Sequence, residues 1–195
     1  MKINRFMIAA PKSGSGKTMI TCALLQLLKD SGKNVLSYKC GPDYIDPMFH
    51  SRVIGAKSRN LDLFMLGQAT TRYLVAKNAR HADVAVFEGA MGFYDGMGKT
   101  TEASAYELAC TCDVPVVLIV NSKGAALSIA ATIKGFKEFR SDSYIVGAIL
   151  NNVNPMSYLF YKDVIERETG VKLLGYFPVM QDCNFESRHL GLVTA

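Results

Sequence analysis

The amino-acid sequence predicts an α/β fold, doubly wound, with a mostly parallel sheet flanked by helices. Three observations carry the prediction. Short apolar runs alternate along the chain with longer stretches whose apolar residues suit helices. Two of the runs, Val84–Phe87 and Val116–Val120, are apolar at every position, as strands covered on both faces are. A glycine-containing loop separates the first apolar run from the first helical stretch, an order of strand, loop and helix that open parallel sheets use at their ligand-binding edge.

Taken in order, Phe6–Ala10 is the first strand, and Met19 to Leu28, rich in long apolar side chains, is a buried helix. Asp30-Ser31-Gly32-Lys33-Asn34 is a turn, and Val35–Lys39 a second strand. From Cys40 to His50, two prolines, two aspartates and a glycine are expected to end the strand in an ordered loop outside the sheet. Arg59 to Arg80 is expected to be mostly helix, broken at Gly67. Val84–Glu88 is a buried strand ending in an acid, followed by a loop from Gly89 to Gly98 whose glycines permit close wrapping. Helices over Glu102–Cys110, Ala125–Phe139 and Met156–Glu168 then alternate with strands over Val116–Val120, Ile145–Leu150 and Val171–Tyr176. No repeat or linker interrupts the pattern, so residues 1–195 are expected to form a single domain.

Composition narrows the classes. A chain of 195 residues with 49% hydrophobic and 20% charged residues has the profile of a folded domain with a substantial core. The N-terminus carries no signal-peptide pattern and no apolar stretch reaches bilayer length, so a cytoplasmic location and no membrane partner are expected. Five cysteines are an odd, scattered set that suits buried or near-surface thiols. The formal net charge of +5 suits an anionic ligand. No basic run with interleaved aromatics appears, and no nucleic-acid partner is expected.

The loop Pro11-Lys12-Ser13-Gly14-Ser15-Gly16-Lys17-Thr18 carries the chemistry. Its ending matches the phosphate-loop pattern G-x-x-x-x-G-K-[ST], although Pro11 stands where the first glycine belongs. Backbone N–H groups over Ser13, Gly14, Ser15 and Gly16 are expected to cradle the phosphates of ATP. Lys17 would reach the β- and γ-phosphates, and Thr18 would be a ligand of Mg²⁺. Glu88, at a strand end, is placed to hold the same Mg²⁺, and Asp43 or Asp46 to complete its shell or position a substrate. Ordinary turn chemistry beside proline is the alternative for those two aspartates. Lys39, one strand over, would offset charge on a transferred phosphoryl group. His81, and with less force His50, read as packed or loop-bonded residues.

Together, Gly41-Pro42-Asp43-Tyr44-Ile45-Asp46-Pro47 with Phe49-His50, Glu88-Gly89-Ala90-Met91-Gly92 with Tyr94-Asp95-Gly96, and Glu186-Ser187-Arg188-His189-Leu190-Gly191-Leu192 resemble the ATP-binding N-terminal domain of the cobyrinic acid a,c-diamide synthases. The resemblance implies a P-loop NTPase fold of the dethiobiotin synthetase-like type. It also implies ATP-dependent amidation of two carboxylates through an acyl phosphate. The partner would be a corrinoid or related tetrapyrrole polycarboxylate. Lys17, Lys39, Asp43, Asp46, Glu88 and Asp95 would surround the reacting groups, with Thr18, Asp46 and Glu88 on the metal and Arg188 with His189 near the substrate. Asn151 or Asn152, the second of which aligns better, and Pro178 would frame adenine. The family's glutaminase domain is expected to be absent from this chain and to supply ammonia from a missing domain or subunit; a homodimer stays open. Sirohydrochlorin a,c-diamide synthase fits the same motifs. A partitioning-type ATPase switch is favoured by Lys12, and disfavoured by Glu88 at a position where that class has aspartate.

Overall fold

The computed structural model describes residues 3–180. Its seven strands form one sheet, ordered β3-β2-β4-β1-β5-β6-β7, in which every pairing is parallel. The strands are β1 (Asn4–Ala9), β2 (Val35–Cys40), β3 (Lys57–Leu61), β4 (Val84–Glu88), β5 (Val116–Asn121), β6 (Ile145–Asn151) and β7 (Lys172–Phe177). Six helices connect them: α1 (Lys17–Asp30), α2 (Ile45–Arg52), α3 (Leu63–Asn78), α4 (Ala105–Cys112), α5 (Ser128–Glu138) and α6 (Pro155–Thr169), with a 3₁₀ turn at Ala79–His81. The sheet separates two apolar layers. Met7, Phe87, Leu118 and Leu150 pack toward one, and Ile8, Val86, Ile119 and Ile149 toward the other. This alternation along strands apolar at every position is what covering both faces requires.

Two expectations are corrected. The stretch after β2 is a loop only as far as Tyr44 and then turns into α2. Pro47 is tolerated because it falls in the first helical turn, where its missing N–H would have no intrahelical acceptor. Asp43 Oδ1 satisfies two of the orphaned donors, accepting from Ile45 N at 2.9 Å and Asp46 N at 3.1 Å. The second correction concerns Lys57–Leu61, an added edge strand paired with β2, where a helix was expected from Arg59. Its polar, lysine-bearing sequence hides the strand pattern, as exposed edges commonly do. Asp62 then caps α3, accepting from Phe64 N and Met65 N.

The expected break at Gly67 is present, with φ 68° and ψ 167° inside α3. Helix α4 begins at Ala105, where Ser104 Oγ accepts from Glu107 N at 3.2 Å and Glu107 Oε2 accepts from Ala103 N at 2.6 Å. This reciprocal pair is close to a capping box.

Gly67 and Gly135 give opposite expectations. A Cβ at either position meets no heavy atom within 4 Å, so backbone conformation decides. Gly67→Ala forces alanine into a glycine-only region and is expected to cost about 1–3 kcal/mol. Gly135→Ala, in the regular helix α5, is expected to gain about 0.5–1 kcal/mol. Urea denaturation of the two variants reads both signs.

Candidate functional site

Three strands and two helices bring the candidate residues together at the C-terminal edge of the sheet. β1 ends at Ala9 and the loop through Gly16 delivers Lys17 and Thr18 to the start of α1. Gly14 and Gly16 take left-handed φ values of 73° and 96°, the kind of conformation that turns successive N–H groups toward one side. Ser15 is buried and donates from Oγ to Lys12 O at 2.9 Å, holding the loop in shape; Ser13 and Lys12 are exposed. Lys17 Nζ donates to the carbonyls of Met91 at 2.5 Å and Lys12 at 3.4 Å. Burial, with the nearby Lys39 cation, lowers its pKa to about 8, the carboxylates of Glu88, Asp95 and Asp46 opposing the shift.

Lys39 on β2 and Glu88 on β4 are register partners on neighbouring strands. Lys39 Nζ donates to Glu88 Oε1 at 2.8 Å and to Asp46 Oδ2 at 2.6 Å, and lies 3.8 Å from Asp43 Oδ2. Thr18 Oγ1 joins the same oxygens, donating to Glu88 Oε1 at 2.8 Å and reaching Asp46 Oδ2 at 3.4 Å. Lys39, Asp46 and Glu88 are 5%, 2% and 0% exposed, so this is a buried ion cluster reached from the phosphate loop. Burial alone would lower the Lys39 pKa, but Glu88 and Asp46 outweigh it and raise the value. Burial raises the Glu88 pKa against the pull of Lys39.

Of the remaining expected residues, those among the described ones sit on the loops and strand ends that follow β2, β4, β6 and β7. Asp43 is chiefly the cap of α2, with its second oxygen toward Lys39. Asp95 is exposed on the loop after β4 and accepts from Gly92 N at 2.9 Å. That loop lies against β1 and the phosphate loop: Phe93 N donates to Ala10 O at 2.8 Å, and a Cβ at Gly92 would meet Pro11 O at 2.6 Å. Asn151 is buried and donates from Nδ2 to Ser15 O at 3.0 Å. Asn152, with φ 60°, is half-buried and bonded to Asn121 Oδ1 at 3.2 Å. Pro178 follows Phe177, the register partner of Asn151, so Asn152 and Pro178 leave adjacent strand ends. Arg188 and His189 lie outside the described residues.

His50 exceeds its sequence reading as a packed residue. It is fully buried, with Nδ1 3.0 Å from Ser37 Oγ and Nε2 3.5 Å from Glu88 Oε2. Its spacing from Asp46, one helical turn, becomes a signal only once α2 is recognised. A separate cavity of about 200 Å³, lined by Arg5, Arg72 and Cys112 among others, shares no residue with this cluster. Its arginines bond the carbonyls of Asp113 and Thr111 at the end of α4.

Fold and site define a P-loop nucleotide-binding domain on a doubly wound parallel sheet. Residues 6–192 match the CobQ/CobB/MinD/ParA nucleotide binding domain, and the chain belongs to that family. Over its full length it is 43% identical to the cobyrinate a,c-diamide synthase of Thermoplasma volcanium, and over 99% of its length 40% identical to that of Priestia megaterium. It spans 43% and 42% of those two relatives. Among solved structures, the cell division protein FtsY of Thermotoga maritima superposes with a TM-score of 0.65 at 19% identity, covering 88% of this chain and 60% of that one. That likeness shows the shared fold.

Substitutions at Lys39, Arg167 and Gly16 probe the geometry. Lys39→Met leaves Glu88 and Asp46 buried without their cation and is expected to cost about 3–5 kcal/mol in urea denaturation. Arg167→Ala, which breaks an exposed pair with Glu168, is expected to stay within about 0.5 kcal/mol. Gly16→Ala puts a Cβ 2.3 Å from Asn151 Nδ2 at a left-handed φ, for an expected loss of about 1–3 kcal/mol. Adding Asn151→Ala should recover the steric share, which a double-mutant cycle isolates.

Proposed function

We propose that this chain is the ATP-dependent synthetase domain of a cobyrinate a,c-diamide synthase, working in the cytoplasm on a corrin polycarboxylate. The observation that carries the reading is the meeting of three separate motifs at one buried point. Thr18 comes from the phosphate loop, Asp46 from Gly41–Pro47 and Glu88 from the end of β4, with Lys39 bonded to both carboxylates. The names of the full-length relatives point to the same chemistry.

A carboxylate becomes reactive toward ammonia once one of its oxygens is made a leaving group. In the proposed first step a substrate carboxylate oxygen attacks the γ-phosphorus of ATP. The bond to the β,γ-bridging oxygen breaks, leaving an acyl phosphate and ADP. Ammonia then attacks the acyl carbon, inorganic phosphate leaves, and loss of a proton completes the amide. Catalysis of the first step rests on positioning and on offsetting charge. Lys17 would exchange its Met91 carbonyl for the β- and γ-phosphates, with the N–H groups of Ser13 to Gly16 around them. Thr18, Asp46 and Glu88 offer the hard oxygens that Mg²⁺ takes, and their convergence within hydrogen-bond range fits that ion. Bound there, Mg²⁺ would screen the phosphate charge.

Lys39 would keep the two carboxylates from repelling an anionic substrate, and Asp43 and Asp95 would line its approach. Asn152, whose neighbour Asn151 is tied to the phosphate loop, and Pro178 would frame adenine. Ammonia would come from a glutaminase domain or subunit, consistent with relatives more than twice this chain's length.

Mass spectrometry of cobyrinic acid incubated with the chain, MgATP and concentrated ammonium tests the reading. Stepwise conversion of two carboxylates to amides by the wild type, and by no Lys17→Ala control, is expected. ADP release with sirohydrochlorin alone would instead favour the corresponding diamide synthase of that tetrapyrrole. ATP-driven dimerisation without amide formation would favour a partitioning-type switch.

A further inference from the structure

The two oxygens of Glu88 have different surroundings. Oε1 accepts from Lys39 Nζ and Thr18 Oγ1, both at 2.8 Å. Oε2 accepts no hydrogen bond among the described residues and faces His50 Nε2 at 3.5 Å, in a region where His50 and Glu88 are 0% exposed. Across the ring, His50 Nδ1 lies 3.0 Å from Ser37 Oγ, a fully buried hydroxyl on β2. Asp46 and His50 are one turn apart on α2, so one helix face addresses the cluster from both sides of Glu88.

We propose that His50 is a positioning residue that fixes the Glu88 carboxylate so that Oε1 is presented to Thr18 and the phosphate loop. Ser37 Oγ–H donates to Nδ1, which leaves the ring hydrogen on Nε2, aimed at Oε2. The opposite tautomer would set a ring lone pair against a buried carboxylate oxygen, two acceptors in contact. A movement of roughly half an ångström brings the Nε2 to Oε2 separation to ordinary hydrogen-bond length. With one oxygen anchored, the carboxylate stops turning about its terminal bond, and the other stays within reach of Thr18 and Lys39. Partners of this kind around a ligating carboxylate typically change metal affinity by about 10- to 100-fold. The inference rests on the reading of Thr18, Asp46 and Glu88 as a Mg²⁺ site.

Calorimetry of the whole chain with a non-hydrolysable imido analogue of ATP, with Mg²⁺ and with chelator, separates positioning from packing. Glutamine can place an amide N–H near the position of Nε2, whereas asparagine reaches only as far as Nδ1. In His50→Asn the affinity gained from Mg²⁺ is expected to fall by about tenfold or more, while metal-free binding holds. His50→Gln is expected to stay near wild type, and Ser37→Ala to fall between the two. Equal losses in the two His50 variants, or losses that are the same with and without Mg²⁺, would overturn the proposal.

Imidazole ¹⁵N spectra of the ligand-free wild type give an independent answer that needs no foldable variant. The His50 hydrogen is expected on Nε2, and finding it on Nδ1 would also overturn the proposal. A wild type whose analogue binding ignores Mg²⁺ would instead sink the metal reading itself, and the spectra would still decide the ring.

Discussion

The Lys39 ammonium, held between Asp46 and Glu88, is the interaction on which the site depends. Two carboxylates this deep in the protein repel one another and lose their hydration, and each effect alone favours protonation. Burial does push the Glu88 pKa upward, yet the same pair of acids holds the lysine charged against its own desolvation. A buried cluster of this kind is a poor source of net stability compared with apolar packing. Its presence points to a task for the charges. The Thr18 hydroxyl, carried by the phosphate loop, supplies the connection to that task.

The sheet order makes the cluster possible. Because β4 lies between β1 and β2, the phosphate loop, Glu88 and Lys39 leave three adjacent strands at the same edge. Parallel register aligns Ile8, Glu88 and Lys39 across the sheet, and α2 then folds back over the end of β2 to bring Asp46 in. The loop after β4 closes the other side. Glycine at position 92 lets its backbone approach Pro11, and the Met91 carbonyl reaches Lys17.

Much of this was legible in the sequence because the signals were local. Phosphate-loop spacing, the acid at the end of Val84–Glu88 and the apolar runs of the central strands each identify themselves within a few residues. β3 was hidden because an edge strand of lysine, serine, arginine and asparagine satisfies its environment without an apolar alternation. α2 was hidden because Pro47 reads as a breaker unless its place in the first turn is known, and that place depends on Asp43 capping the helix. His50 followed α2 out of view. Its partners, Ser37 and Glu88, are distant in sequence, and only the β2 to β4 pairing and the return of α2 bring them to one ring. Asp43 shows the converse: one carboxylate oxygen does the turn chemistry expected beside proline, and the other faces Lys39, a contact that only the return of the chain over β2 reveals.

The two asparagines at the end of β6 were inseparable in sequence because they are chemically identical neighbours. Three-dimensional context gives them different work. Asn151 is buried and donates to Ser15 O, and its amide passes so close to Gly16 that a methyl group there would collide with it. Its own oxygen accepts from Asn152 N at 3.0 Å, which supports the left-handed backbone at Asn152. The end of β6 is therefore connected to the phosphate loop through the Asn151 side chain. A base held beside Asn152 and phosphates held above Gly16 would share that connection, so the glycine at position 16 is required by its φ and by the neighbour packed against it.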